Sequence, residues 1–474
     1  MTNRTLWARD RLVLLTVFLT LAVPFIAQGQ EPAEKVSAEH ATLIEAIRAV
    51  PAFLDSNASN HDVALARLQV AVVAAEGPVE PLIDLLRHPN AEARTWSLQT
   101  LDLLGPHAEL AVPALAELLG QEDVDRQETE LALLVLRDLG ESARDARPVV
   151  EALLRRGGDL PVSAAEALTA MGGDAVTPLI EALGSGDASS RASAAECLRV
   201  LDRAAAPALS ALRSALRDAD DLVRYRAAMA IWMIDLDGSR TLPIVREFIR
   251  DGSAAYPQLR GEALTALRLF ATEAKSAVPD IVALLEGESL RDAETLAALE
   301  TLGEIGPFAK VAAPTVAAAL DDADWQVRAA AAVALWGIER KPDRSVAVLL
   351  ELLADSSENR DEIRAAAARG LGRIGADASA AVPALIAQLG DASDNTVRMH
   401  SAQALGFIGP AAAPAIPDMI ELLADPAAGL WVGNALAGIG EAAVPALEEA
   451  AASGGVLVRG RANRALQRIR RAKR

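Results

Sequence analysis

Five histidines and one cysteine are the residues of this chain best suited to hold a metal or to act as a nucleophile, and their spacing favours neither. His40, His61, His88, His107 and His400 include no pair four residues apart, the spacing that sets two imidazoles on one helix face for a metal ion, and none is followed by Glu. Cys197, in Ala-Ala-Glu-Cys-Leu, falls on an apolar helix stripe, so it is expected to be a small buried hydrophobe. Asp235-Leu236-Asp237-Gly238 has the start of a calcium loop, but its glycine comes too early and Arg246 stands where a bidentate Glu is needed. It reads as a helix-ending turn. No Ser, His and Asp constellation assembles and no Gly-rich phosphate loop is present. The chemistry expected is recognition, without catalysis, cofactor or metal.

Charge narrows the partners. The 474 residues carry 46 Lys plus Arg against 65 Asp plus Glu, a net charge of −19, which repels nucleic acid and anionic lipid over most of the surface. The first residues are an exception. Arg4, Arg9 and Arg11 precede an apolar run from Leu12 to Ala27, too short for an ordinary spanning helix and interrupted by Pro24. Ala27-Gln28-Gly29 offers small residues for a peptidase, so residues 1–29 are expected to be a signal peptide cleaved near Gly29, with the chain exported to a periplasmic or extracellular space. An uncleaved anchor is the alternative. No second apolar run is expected to span a bilayer, and residues 30–36 form a flexible lead.

The elements that must position any site are helices, given abundant Ala and Leu and only 3% aromatic residues. Prolines recur at Pro81, Pro113, Pro148, Pro178, Pro207, Pro243, Pro279, Pro314, Pro383, Pro417 and Pro445, with one double-length gap in which Val346 takes the missing proline's place. This gives about twelve units over 78–474, after a divergent capping helix pair at 37–77. In each unit a Pro begins the first helix, where its missing N–H costs nothing. An Asp-rich turn such as Asp220-Asp221, Asp322 and Asp324, or Asp391 and Asp394 then caps the second helix. That helix ends at glycine, as in Ile305-Gly306, Ile374-Gly375, Ile408-Gly409 and Ile439-Gly440. Val327, Ala331, Ala334, Leu335 and Ile338 give it one apolar stripe. A unit of about 30 residues cannot bury both faces alone, so the units must stack. The fold predicted is an all-α, right-handed superhelical solenoid of helix pairs.

The recurring Val223-Arg224, Val327-Arg328, Ile363-Arg364, Val397-Arg398 and Val458-Arg459, the first four after an acidic turn, with Leu259-Arg260 close, resemble the HEAT-like repeats of the phycobilin lyase type. The resemblance covers nearly everything after residue 78, weakly near Pro113, Pro148 and Pro279. It implies a scaffold or, alternatively, an enzyme such as a bilin lyase or a metal-dependent hydroxylase. Deoxyhypusine hydroxylase, with a similar array, holds iron by His-Glu dyads that this chain lacks. An Arg at a helix start opposes the dipole, so each is expected to pair with the Asp of its own or the adjacent turn, fixing repeat spacing.

Stepping 100° per residue from that stripe places Trp336 opposite it, and the same register places Tyr225, Met229 and Trp232 there, with Arg268, Arg369, Met399 and Gln403 in other units. These residues are expected to line a concave face that binds a protein or peptide, unless the Trp side chains fill core between repeats. Arg461, Arg464, Arg468 and Arg471 form a basic C-terminal patch on a terminal helix whose apolar stripe is Val458, Ala462, Ala465 and Ile469.

Overall fold

Asp and Asn side chains start several of the second helices and glycines at positive φ stop several, whereas the helices Asp221–Asp235 and Trp325–Glu339 stop at Leu236 and Arg340, both at φ 56°. Asn90 accepts from the backbone N–H of Glu92 and Ala93, Asp187 from Ser189 and Ser190, Asp220 from Leu222 and Val223, and Asp324 from Gln326. At the far end Gly306, Gly375, Gly409 and Gly440 adopt φ of 64°, 68°, 77° and 85°. Only a residue without a side chain takes that conformation without strain. The computed structural model describes residues 41–472 apart from 42, 55–60, 122–123, 157–161, 237, 288–289, 291, 358–359, 391–394 and 427. The expected signal peptide and lead, Asp237, and the turn residues Asp391 and Asp394 lie outside the described residues.

Among the described residues the second helices are α1 Ala91–Leu104, α2 Arg126–Leu139, α3 Val162–Ala170, α4 Ala188–Val200 and α5 Asp221–Asp235 in one unit, which ends at Leu236. A second unit begins at Asp237 and holds α6 Leu259–Ala266, α7 Asp292–Ile305, α8 Trp325–Glu339, α9 Arg360–Ile374, α10 Asn395–Ile408, α11 Gly429–Ile439 and α12 Val456–Ala472. Each unit is a two-layer stack of helix pairs. The stripe Val327, Ala331, Ala334, Leu335 and Ile338 is buried as its spacing requires, and Cys197 is fully buried.

Proline begins a first helix at Pro81, Pro113, Pro148, Pro279, Pro314, Pro417 and Pro445. Pro178 and Pro383 fall in the first turn of Val176–Leu183 and Val382–Gly390, and three other positions need correction. Pro207 lies inside a 3-10 segment, and Pro243 lies inside the helix Gly238–Asp251. Val346 does not replace a missing proline, because its helix, Pro342–Leu353, starts at Pro342.

Between the glycine stop and the next first helix runs a seven-residue 3-10 segment that the sequence pattern did not reveal, for example Gly306–Ala312 and Gly375–Ala381. Three residues per turn eclipses positions i and i+3. Both are alanines with no exposure: Ala108 and Ala111, Ala143 and Ala146, Ala309 and Ala312, Ala378 and Ala381, Ala412 and Ala415. The stretches Asn395–Ala424 and Gly429–Ser453 are apolar and long enough to cross a bilayer when counted through. Each is nonetheless a succession of shorter helical pieces, broken first at Gly409 or Gly440.

Candidate binding groove on the second helices

Arginine near the start of the second helix ties its turn together. Arg94 donates to the carbonyls of His88 and Pro89 and pairs with buried Glu128 at 2.9 Å. Arg191 donates to the Ser185 carbonyl and grips Asp218 of the next turn through two bonds of 2.7 and 2.8 Å. The Arg191 hydrogen bonds hold the Asp218 carboxyl below the usual carboxylate range, against the partial burial that opposes charge. Arg224 reaches Asp221 at 2.6 Å and Arg398 reaches Asp425 at 3.0 Å. Arg328 and Arg364 instead take turn carbonyls, those of Asp322, Ala323 and Asp355. In α12 the clamp is Arg461, which donates to the carbonyls of Leu423 and Asp425 at 2.7 Å, whereas Arg459 is exposed.

In the first unit the expected outer face is partly core. Tyr225 is 3% and Met229 7% exposed, so neither is available to a partner, and only Trp232 is half-buried. The reason is geometric. A second helix packs on its own first helix and on the second helices before and after it, so its buried arc is wider than one stripe. Close by, Glu196 of α4 is shared by Arg199 at 2.6 Å and Arg226 at 3.1 Å. Burial disfavours the charged carboxyl, but the hydrogen bonds and charges of these two arginines outweigh it and hold its pKa below the ordinary value.

In the second unit Trp336 is half-buried, as Trp232 is, but here the indole stands at a cavity of about 290 Å³. Glu300 and Glu304 of α7, Ala330 and Val333 of α8, Arg340 after α8, and Arg373 of α9 line it with the indole. The indole N–H donates to Asp377 at 2.9 Å, and the Arg340 guanidinium lies 4.6 Å from the ring centroid. Arg268 pairs with Glu304 at 2.5 Å and Glu300 at 3.9 Å, and Arg373 approaches the same two carboxylates at 3.9 and 4.0 Å. Arg369 meets His400 at 3.2 Å, His400 meets Gln403 at 3.2 Å, and Met399 is half-buried.

The structure therefore brings Trp336 and Arg268 together through Glu300 and Glu304, and joins Arg369 to Gln403 through His400. Glu300, Glu304, Arg340, Arg373 and His400 were missed in the sequence. Glu300 and Glu304 are four apart on one helix face, and that spacing was the available signal.

The seam between second helices is closed by glycine. A Cβ on Gly337 would lie 2.4 Å from the Gly303 carbonyl oxygen, and one on Gly438 would lie 2.5 Å from that of Gly406. Backbones this close leave no room for a large side chain between them, so Trp336 must lie outside the seam.

Along α12, Ala462, Ala465, Leu466 and Ile469 are buried, while Arg464, Arg468 and Arg471 are exposed. Arg461 does not belong to the exposed patch, because its guanidinium is spent on the preceding turn.

A family model described as HEAT repeats matches residues 176–267, 312–406 and 346–430. No curated protein matches the chain. Among solved structures, importin beta is similar at 13% identity over 93% of this chain and 70% of its own, with a TM-score of 0.60. The complex of CpcE and CpcF of phycocyanin lyase from Nostoc sp. is 26% identical over 52% of this chain and 94% of its own, with a TM-score of 0.35. A Kap95:Nup1 complex is 14% identical over 88% and 62%, with a TM-score of 0.47. Among the described residues the chain is all-α with a solenoid fold similar to that of importin beta, and over 176–267 and 312–430 it matches HEAT repeats.

Proposed function

We propose that the protein is a scaffold without catalysis that binds a protein or peptide along the second helices of its second unit. It acts in a periplasmic or extracellular space after cleavage near Gly29. One observation carries the reading: a half-buried Trp336, stacked by Arg340, opens on a cavity whose other wall is the charged lattice of Glu300, Glu304 and Arg373. Aromatic and arginine side chains at the mouth of a groove are the types that dominate binding energy between proteins. The export half of the proposal rests on Arg4, Arg9 and Arg11 ahead of the apolar run to Ala27.

The test is capture from an envelope fraction by the wild-type chain and by Trp336→Ala and Arg373→Glu side by side, with melting temperatures recorded. Loss of the same captured protein in both variants, with stability retained, is expected. Capture unchanged in both would reject the groove, and stoichiometric iron or zinc in the purified protein would reject the non-enzymatic reading. An intact mass that retains Met1 to Gly29 would reject cleavage.

A further inference from the structure

The outward arc of α12 has a composition unlike the rest of this acidic chain. At 100° per residue, Val456, Leu457, Arg464, Gln467, Arg468 and Arg471 fall within one arc of about 120°, opposite Ala462, Ala465 and Ile469. Val456 is 78% and Leu457 58% exposed. Residues 456–474 contain eight Lys and Arg and no Asp or Glu, in a chain whose net charge is −19. The neighbouring α11, Gly-Leu-Trp-Val-Gly-Asn-Ala-Leu-Ala-Gly-Ile, has no charged residue at all.

The two helices adjoin at their first turns. Arg461 hydrogen-bonds the turn just before α11, and a Cβ on Gly433 would lie 3.7 Å from the Arg461 carbonyl oxygen. Leu430 and Trp431, 46% and 40% exposed, lie on the first turn of α11, as Val456 and Leu457 lie on the first turn of α12. On α12 two large apolar side chains, Val456 and Leu457, protrude at the start of a row of three arginines.

We propose that this end of the second unit docks on an anionic lipid bilayer, with Val456 and Leu457 entering the headgroup boundary and Arg464, Arg468 and Arg471 binding lipid phosphates. Guanidinium forks match phosphate oxygens, and a basic stripe sharing an arc with exposed Leu and Val suits a bilayer interface. The acidic remainder of the surface is repelled by the same bilayer, so contact is restricted to this end. An acidic protein face would satisfy the arginines alone, whereas a bilayer also accepts the protruding apolar side chains. The inference does not depend on the groove at Trp336.

Vesicle co-sedimentation of the full chain tests it, using phosphatidylcholine alone and phosphatidylcholine with about a third phosphatidylglycerol. The apolar run at 12–27 is common to all variants, so differences among them report the C-terminal arc. The wild type should bind the anionic vesicles at least about tenfold more tightly than the neutral ones, less so as salt rises. Arg464→Glu/Arg468→Glu/Arg471→Glu should abolish that preference, while the three Arg→Lys changes retain it. Val456→Asp/Leu457→Asp should weaken binding to both vesicles. An anionic preference that survives the Glu variant, or no preference in the wild type, overturns the proposal. So does self-association by light scattering that the Glu variant abolishes without any vesicle preference, which would assign the arc to a second copy.

Discussion

Two second helices at the same position in their repeats, α5 in the first unit and α8 in the second, each hold a half-buried Trp at the same register position, Trp232 and Trp336, and differ beside it. On α5, Tyr225 and Met229 are buried, whereas on α8 the half-buried Trp336 lines an open cavity. The partner helices differ in one respect. Neither α4 nor α5 contains a glycine. Between α7 and α8, Gly303 and Gly337 bring the backbones together. A site of this kind is therefore made by what the seam excludes as much as by the residue exposed.

The largest effect expected from this contrast is at Tyr225. Tyr225→Ala should cost about 3 kcal/mol, the range of a buried ring removed without collapse, while Trp336→Ala should cost about 1 kcal/mol. Equal costs by urea denaturation would break the comparison. Next, Gly337→Ala should lose about 2 kcal/mol despite alanine's better helix propensity, because its Cβ would meet backbone across the seam. Gly261→Ala should do the reverse: a Cβ there meets nothing within 4 Å, so a gain of about 0.5–1 kcal/mol is expected as a rise in melting temperature.

The smallest effect is electrostatic. The Asp218 carboxyl is held below its ordinary pKa by the Arg191 hydrogen bonds, so its contribution is present above the usual carboxylate range and lost as pH falls through the lowered value. Melting temperature should fall on acidification in the wild type and fall less in Asp218→Asn. Parallel pH curves would show that the pair contributes no stability.

The parts of the fold that depend on neighbours in sequence were legible. Asp caps and glycine stops act within four residues, so Asp220, Asp324, Gly306 and Gly409 could be read from the chain alone. The helix start at Pro342 was missed because Val346 fitted a constant proline spacing, which the structure does not keep. The 3-10 segments were missed because Ala-x-x-Ala reads as ordinary helix when the eclipsing of i and i+3 is unknown. The site was less legible than the fold. Arg268 and Trp336 followed from helical register, but Tyr225 and Met229 did not, since register on one helix says nothing of how wide the next seam is. Glu300 and Glu304 matter only because Arg268 and Arg373 reach them from other helices.

The seven-residue 3-10 segments also set how the repeats exchange their amide hydrogens. Their hydrogen bonds are less well aligned than those of the α-helices on either side, and Gly306–Ala312 and Gly375–Ala381 each begin at a glycine where the ladder is interrupted. Solvent should therefore reach the backbone at Gly306–Ala312 and Gly375–Ala381 before it reaches α8 or α9, so that opening proceeds between helices, one protected segment at a time.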